Sequence, residues 1–331
     1  CIDSIVNQTI GFENLQVILV NDGSKDNSGK IIEKYCEKYN NVQAIHLPES
    51  HSLGGFARNQ GVEQAIGEYL MFIDSDDVYD KKACELMYQA IKENEADVVT
   101  ANYKCMEQEG KIWDTAMFDQ KKYKSCDLEE ASQRFFYLYC PSACMKIFRN
   151  ELIQKNDIKF LEGVPAEDAY FSSRALLESK KICYISDVIY YYRRRNTGEV
   201  STSWMRNKKY FKDVNYAFKK IYEAFKDADK LEYYKYYYAK NLISLVYKFT
   251  DSKLITNEER IELLEELYWF FEQTKILDVT LAQRSIEILI EYILAKKYEE
   301  AIKLCEVIAE MRSFMSEVQK EMTSKPQQIT K

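Results

Sequence analysis

The chain has 331 residues, of which 46% are hydrophobic and 30% are charged. This composition supplies enough apolar residues for a packed core and argues against disorder, and the length favours two domains. The formal net charge of -7 argues against nucleic acid as a partner. No apolar run is long enough for a transmembrane helix. Nine cysteines without a C-x-x-C pair predict reduced thiols in a cytoplasmic protein.

Short apolar segments alternate with helical patterns in the first 200 residues or so, which is typical of βαβ units and predicts a largely parallel sheet flanked by helices. Predicted strands cover 15–21, 42–47, 69–73, 97–103 and 182–192, and predicted helices cover 28–39, 56–66 and 81–93. From about residue 204 helix formers dominate, which predicts five or six helices. The expected organisation is an α/β domain over 1–203 followed by a helical region over 204–331.

Three carboxylates follow the third predicted strand. Residues 70–77 read LMFIDSDD, which places Asp74, Asp76 and Asp77 at the carboxyl end of that strand. Such strand ends face the ligand crevice of open α/β sheets. Carboxylates there suit a hard divalent cation that keeps phosphate oxygens as its other ligands. The alternative is an acidic turn that caps the next helix. The apolar strand before it and the motifs described next favour the cation site.

The first predicted strand ends in VNDGS, which contains Asp22, Gly23 and Ser24. A carboxylate at this position is suited to hydrogen-bonding a base or a ribose, as acidic residues do in nucleotide crevices. An ordinary corner between a strand and a helix would use the same residues. Taken alone, the segment favours the ordinary corner.

A glycine-rich segment, SLGGFARN at residues 52–59, opens the second predicted helix. Gly54 and its neighbour allow a ligand or another backbone segment to approach closely. Arg58 is suited to pairing with a phosphate, and the start of a helix itself favours an anion. A structural ion pair between Arg58 and Asp22 or Asp74 is the alternative, and the sequence leaves both interpretations open.

The order and spacing of VNDGS and GGFARNQGVEQAIGEYLMFIDSDD, with EGVPAEDAYF at 162–171, resemble the nucleotide-sugar half of family 2 glycosyltransferases. The resemblance covers about residues 1–200. It implies the A-type glycosyltransferase (GT-A) fold and an inverting transfer of a sugar from a nucleotide diphosphate donor, with UDP-sugars as the first candidates. It further implies a saccharide or lipid-linked saccharide acceptor in surface polysaccharide or glycolipid biosynthesis.

The resemblance implies a donor site and a metal site. On that pattern Asp22 contacts the nucleobase and Asp74 the ribose side. Asp76, with Asp77, holds Mg²⁺ or Mn²⁺ on the diphosphate, where the cation acts as a Lewis acid on the departing group. The remaining residues predicted to bind the nucleotide sugar are Gly23, Ser24, Gly54, Arg58 and Arg193.

The segment EGVPAEDAYF supplies the predicted catalytic pair. The resemblance implies that Asp168 is the general base and that Glu167 supports it, whereas without the upstream motifs both would be read as helix caps. Arg193 ends the last predicted strand and either closes over the diphosphate or is a solvated strand end. Lys146 matches a family lysine, for which structural pairing and acceptor contact are equally open. His46 is interpreted as a packed or rim residue.

The family's opening strand, with its Pro-x-Tyr-Asn turn, has no counterpart before Cys1, so the chain resembles an N-terminally truncated member. Two other functions stay open: a catalytically inactive binding or assembly module, and a nucleotidyltransferase. Tyrosines over 210–248 suggest a helical core or an acceptor surface. Basic residues interspersed among them leave open a peripheral contact with the inner face of the membrane.

Overall fold

The fold is described from a computed structural model of the chain. The structure describes residues 1–51, 53–107, 111–114, 126–127, 140–194, 206–250, 252–274 and 284–324. The chain divides into two compact units, one formed by Cys1–Trp204 with Tyr216–Lys230 and the other by Met205–Asn215 with Leu231–Lys331.

The first unit alternates strands and helices. Its strands are β1 (Val17–Asp22), β2 (Val42–Leu47), β3 (Tyr69–Met71), β4 (Val78–Tyr79), β5 (Val98–Glu107), β6 (Ile112–Asp114), β7 (Cys126–Asp127), β8 (Lys146–Arg149) and β9 (Lys181–Arg194). Its helices are α1 (Ile2–Val6), α2 (Ser28–Lys38), α3 (Gly55–Glu63), α4 (Ala83–Glu93), α5 (Asn150–Lys155) and α6 (Glu167–Glu178). Each strand and helix predicted for this part is present, β2 with the predicted bounds and the others with shifted ends, since periodicity defines an element better than its boundaries.

The described strands form two sheets. β1 and β2 pair in parallel, and a larger sheet has the order β3-β8-β5-β9-β4, with β6 on β5 and β7 on β9. Within the larger sheet β5 and β9 are parallel, whereas β8 runs antiparallel to both β3 and β5. The expectation of a largely parallel sheet is therefore wrong. The antiparallel pairings involve β8, a four-residue strand that enters between β3 and β5, and the short strands β4, β6 and β7, all of which are too short to show a period.

β5 is the central strand that carries the other pairings. Its first five residues, VVTAN, are all buried and do not alternate. A strand that is covered on both faces needs no polar face, so such a continuous buried run is expected. β5 pairs with β8 on one side and with β9 on the other, which places the end of β9 beside the end of β5. This arrangement positions the long β9 for the contacts of the site described below.

The remaining described elements are helices. They are α7 (Lys208–Asp227), α8 (Leu231–Thr250), α9 (Asn257–Thr274), α10 (Arg284–Leu294) and α11 (Tyr298–Ser324). α9 and α10 contribute fully buried apolar side chains such as Leu264, Phe270 and Ile290. The prediction of a helical C-terminal region is confirmed. Among the described residues, no helix combines the length and the apolar character needed to cross a membrane.

Four phenylalanines, of which three are buried and Phe72 is half-buried, form a cluster in the first unit. Phe72 follows β3, Phe148 lies in β8, Phe160 precedes the motif at 162–171, and Phe171 lies in α6. The rings of Phe160 and Phe171 stack with centroids 4.0 Å apart, and the Phe72 ring meets each of them edge-on at 5.1 and 5.4 Å. The cluster holds together the ends of the segments that carry Asp74 and Asp168.

Phe171→Ala should lower the free energy of unfolding by about 3–5 kcal/mol, because the ring is fully buried and its removal leaves a cavity. The matched control is Ile66→Ala, which shortens a side chain that is 88% exposed and should change stability by no more than about 0.5 kcal/mol. Chemical denaturation measures both values. Equal losses in the two variants would contradict the supporting role of the cluster.

Candidate functional site

Arg58 connects three predicted motifs. It lies at the end of the first turn of α3, and its Nη1 donates a hydrogen bond to Glu167 Oε1 at 2.8 Å. Its Nη2 donates to Asp74 Oδ1 at 2.6 Å. The guanidinium also lies over the ring of Phe160, 5.5 Å from the centroid. The ion pair with Asp74 that the sequence left open is therefore formed, and a second one with Glu167 accompanies it.

The Arg58 side chain is only 18% exposed. Burial disfavours its charge, but the carboxylates around it, with Asp74 first, outweigh this effect and raise the pKa of Arg58. Gly54 leaves space for the guanidinium, since a Cβ at that position would collide with it. A Cβ at Gly55 would likewise collide with the carbonyl oxygen of Leu161. These glycines allow the start of α3 to approach the segment that leads to α6.

Glu167 and Asp168 begin α6, directly after Ala166. Ala166 has a φ of 65°, a left-handed conformation that is strained for a residue with a side chain. Burial raises the pKa of Glu167, and the neighbouring Asp168 adds to this effect while Arg58 opposes it. Burial also raises the pKa of Asp168, against the opposing charges of Arg58 and Lys146. A carboxylate with a raised pKa at the edge of a site is suited to accept a proton.

Lys146 is fully buried at the start of β8. Its Nζ donates hydrogen bonds to the carbonyl oxygens of Cys140 and Ser142, each at 2.5 Å. Burial lowers the pKa of Lys146, and the charge of Asp168 acts in the opposite direction. These two hydrogen bonds to carbonyl oxygens are a structural pairing of the kind that the sequence left open for Lys146. The Lys146 amino group also interacts electrostatically with Asp168, the predicted base.

Asn59 is a supporting residue that the sequence interpretation did not single out. It is 4% exposed, its Nδ2 donates to the carbonyl oxygen of Phe160 at 3.0 Å, and its Oδ1 accepts from the backbone N–H of Phe160 at 2.8 Å. The Nδ2 also donates to Glu162 Oε1 at 2.9 Å. Its signal in the sequence was a polar residue on the buried stripe of α3, between Gly55 and Val62. A buried amide requires partners of this kind.

The turn that contains Asp76 and Asp77 is attached to β9. Asp77 is 1% exposed; its Oδ2 accepts from the Tyr190 hydroxyl at 2.5 Å and its Oδ1 from the Arg193 N–H at 2.7 Å. Burial raises the pKa of Asp77 to about 6. Arg193 Nε donates to the carbonyl oxygen of Asp76 at 2.8 Å. The structure thus brings Asp76, Asp77 and Arg193 together, with the Asp77 carboxylate directed toward β9.

Asp74 and Asp76 are the less buried carboxylates of this turn, and the Asp74 side chain is 41% exposed. Within the described part of the chain, no group of three or more His, Cys, Asp or Glu side chains is placed to hold a metal ion. Carboxylate oxygens nevertheless fit a cation such as Mg²⁺, which binds through one or two carboxylates plus the phosphates of a substrate.

Asp22, at the end of β1, is held by the segment that follows β2. The backbone N–H of His51 lies 3.1 Å from both of its carboxylate oxygens, and the ring Nδ1 of His51 lies 3.0 Å from Oδ1. The Ser50 hydroxyl donates to Oδ2 at 3.1 Å. The ring of His51 also stacks on Phe56 with centroids 3.8 Å apart. His51 was not singled out from the sequence.

The VNDGS turn is shaped by Gly23, whose φ is 62°. A Cβ at Gly23 would lie 2.5 Å from backbone atoms of Glu49 and Ser50, so no other residue allows the two segments to come this close. The N–H of Ser24 donates to Asn21 Oδ1 at 3.1 Å. α3 connects this turn with the ion pairs of Arg58. Phe56, which lies two residues before Arg58 on α3, stacks on His51, and His51 contacts Asp22 in the turn.

His46, the other histidine, lies exposed on β2, where its ring nitrogens contact Asn21 and Glu33 at 3.1 and 2.6 Å. It has two protein partners and a position on the rim of the unit. His46 therefore serves as a natural comparison for His51.

Known proteins are similar to this chain in sequence and in fold. Residues 1–156 match the profile of Glycosyl transferase family 2. The chain is 30% identical over 277 residues to the poly(ribitol-phosphate) beta-glucosyltransferase of Bacillus spizizenii. This alignment covers 82% of this chain and 42% of that protein. It is 32% identical over 218 residues to the glycosyltransferase GlyG of Streptococcus pneumoniae, and this alignment covers 62% of this chain and 71% of GlyG.

A solved structure of TarS from S. aureus in complex with UDP superposes with a TM-score of 0.71 at 24% sequence identity. The superposition covers 93% of this chain and 86% of that chain. This likeness confirms the predicted GT-A-like fold with a helical C-terminal region. The chain spans less than half the length of the Bacillus relative and 71% of GlyG.

Gly23→Ala should destabilise the protein more than Gly163→Ala. Both glycines have a positive φ, so each substitution incurs about 1–2 kcal/mol of backbone strain. A Cβ at Gly163 meets nothing within 4 Å, whereas one at Gly23 meets the backbone of Glu49 and Ser50. The excess loss at Gly23 should be on the order of 1–3 kcal/mol, measured by chemical denaturation. Equal losses would show that the close approach at Gly23 is unimportant.

Asp77→Asn should remove a pH dependence of stability. The pKa of Asp77 rises from 3.8 to about 6 in the folded protein, which therefore binds this proton more tightly than the unfolded chain does. The contribution of Asp77 to stability falls as the pH rises through this window. Between pH 4 and pH 7, the free energy of unfolding of the wild type should fall by roughly 2 kcal/mol relative to that of Asp77→Asn.

Denaturant unfolding at the two pH values measures this change. The exposed Asp187→Asn is the matched control, and its stability relative to wild type should be the same at both pH values. A constant difference between wild type and Asp77→Asn would refute the raised pKa.

Proposed function

The chain belongs to glycosyl transferase family 2, and we propose that it transfers a sugar from a UDP-sugar to a hydroxyl group of a cell-wall polymer. The UDP donor is supported by the likeness of the fold to TarS, which was crystallised with UDP. The class of acceptor is supported by the Bacillus relative, which acts on poly(ribitol-phosphate). A saccharide or lipid-linked saccharide acceptor, as the sequence suggested, belongs to the same proposal.

The observation that carries this proposal is the double ion pair of Arg58. Asp74 follows the strand end that the family uses for the donor, and Glu167 adjoins the residue that the family uses as the base. Arg58 binds both carboxylates within 2.8 Å. These ion pairs support the proposal, because they join the segment assigned to donor binding to the segment assigned to acceptor activation.

We assign the general base to Asp168. Its carboxylate takes the proton of the acceptor hydroxyl while the hydroxyl oxygen forms a bond to the anomeric carbon. The bond between that carbon and the diphosphate oxygen breaks in the same displacement, and UDP leaves with the electron pair. A single displacement of this kind inverts the configuration at the anomeric carbon. Glu167 supports the base by anchoring Arg58 beside it.

A divalent cation, Mg²⁺ or Mn²⁺, fits the carboxylates after β3. When bound, it would supply Lewis-acid stabilisation of the departing diphosphate. Asp76 would hold it, and Asp77 remains a predicted second ligand. The hydrogen bonds of Asp77 to Tyr190 and to the Arg193 N–H favour a supporting role for this residue in the turn. Asp22, Gly23, Ser24, Gly54 and Arg193 stay assigned to the donor side.

We further propose a cytoplasmic location, which is supported by the free thiols of the described cysteines. A peripheral contact with the inner face of the membrane stays a prediction.

The test is a transfer assay with UDP-glucose or UDP-N-acetylglucosamine and a ribitol-phosphate oligomer, in the presence of Mn²⁺ and after its removal with a chelator. Wild type should release UDP, and Asp168→Asn should lower the rate by roughly 10²–10⁴-fold while it still binds UDP. Asp187→Asn, an exposed aspartate on β9, should retain the wild-type rate.

The released product separates the other functions. Pyrophosphate in place of UDP would identify a nucleotidyltransferase. UDP binding without turnover on saccharide, lipid-linked or ribitol-phosphate acceptors would identify a binding module. Full activity in Asp168→Asn would refute the assignment of the base.

A further inference from the structure

His51 is fixed in orientation by its backbone N–H, one edge of its ring and one face of its ring. Its backbone N–H and its ring Nδ1 both contact the Asp22 carboxylate, and one face of its ring stacks on Phe56 with the planes 14° apart. The side chain is 30% exposed, so it also reaches the surface of the site. One edge of the imidazole is therefore bound to Asp22 and one face is covered by Phe56. The remaining edge carries Nε2.

The contact with Asp22 determines which nitrogen carries the proton. A carboxylate is only an acceptor, so Nδ1 must be the donor in this contact. In the neutral imidazole the proton then lies on Nδ1, and Nε2 keeps its lone pair as a hydrogen-bond acceptor. His51 thus presents a single acceptor whose direction is set by Asp22 and Phe56.

We propose that His51 reads the nucleobase of the donor and selects uracil over cytosine. This inference rests on the function proposed above. Uracil carries a hydrogen on N3 and donates it to an acceptor such as Nε2. Cytosine has a lone pair at N3, so two acceptors would face each other and the contact would be lost. Asp22 then acts as a positioning residue, which sets the tautomer and the orientation of His51.

The packing around Asp22 explains why this arrangement is stable. Both carboxylate oxygens accept hydrogen bonds from the Ser50–His51 segment, and this segment approaches the turn only because residue 23 is glycine. The Asp22 side chain is 22% exposed, less than that of His51. The more accessible group of the pair is the imidazole, which is therefore the better placed to touch a base.

Two substitutions separate reading from support. In His51→Asn, the amide nitrogen takes the place of Nδ1 and still donates to Asp22, but nothing occupies the position of Nε2. In His51→Gln, the longer side chain carries an amide oxygen toward that position and restores an acceptor. His46→Asn is the matched control, because His46 is the other histidine of the chain and lies on the exposed side of β2.

Isothermal titration with UDP and CDP, in the presence of Mn²⁺, measures the preference. Wild type should bind UDP about 10-fold more tightly than CDP, which is the effect of about one hydrogen bond. His51→Asn should bind the two nucleotides equally, His51→Gln should recover a preference for UDP, and His46→Asn should behave as wild type. The ¹⁵N spectrum of labelled histidine should show the His51 Nε2 resonance shifting on addition of UDP.

The outcomes separate this inference from the proposed function. If wild type prefers UDP and His51→Asn keeps the full preference, the inference is refuted and the glycosyltransferase proposal stands. If wild type binds CDP as tightly as UDP, His51 does not select the base. If wild type binds neither nucleotide, the proposed donor class fails and the inference fails with it.

Discussion

The paired contacts of Arg58 are the constraint on which the rest of the site depends. A guanidinium that is 18% exposed needs carboxylates to compensate its charge, and Asp74 and Glu167 do so at its Nη2 and Nη1 atoms. The pair with Glu167, whose side chain is 13% exposed, is the buried one, and removing one partner of a buried pair typically costs about 3–5 kcal/mol because it leaves an uncompensated charge. The two carboxylates lie 93 residues apart in the chain, so this single cation fixes the distance between distant segments. At the start of α3, Gly54 leaves space for the guanidinium and Gly55 leaves space for the carbonyl oxygen of Leu161.

Two further sets of contacts support these ion pairs: a cluster of phenylalanine rings and the hydrogen bonds of Asp77. Phe72 and Phe160 pack on Phe171 directly below the segments that carry Asp74 and Asp168. Tyr190 and the backbone of Arg193 hold the turn after β3 through Asp77. The rings set the position of the segments, and the hydrogen bonds set the direction of the side chains. Both are needed, because a carboxylate displaced by about 1 Å loses much of its catalytic value.

The sequence predicted the places of the site residues better than their orientation. Strand ends predicted the places of Asp22 and Asp74 in the fold, because a strand followed by polar residues is a local pattern, and motif order predicted Asp168 at the start of a helix. Which way Asp77 points depends on Tyr190, a residue of a strand more than a hundred positions away, and no local pattern contains that. The antiparallel β8 was missed for the same reason: four residues carry no periodicity, and their place between β3 and β5 is decided by tertiary packing.

The adjacent carboxylates of α6 show how environment divides two similar groups. Burial raises the pKa of both, yet the Glu167 Oε1 accepts a hydrogen bond from Arg58 at 2.8 Å. Protonating Glu167 would weaken that ion pair and leave Asp74 as the carboxylate hydrogen-bonded to Arg58, so the contact with Arg58 lowers the pKa of Glu167 against the effect of burial. Asp168 does not form either of the hydrogen bonds by which Arg58 binds Glu167 and Asp74. It can therefore gain a proton while these ion pairs between α3, α6 and the segment after β3 are kept. The proposed division of roles, with Glu167 as the anchor of Arg58 and Asp168 as the base, therefore rests on which of the two neighbours Arg58 binds.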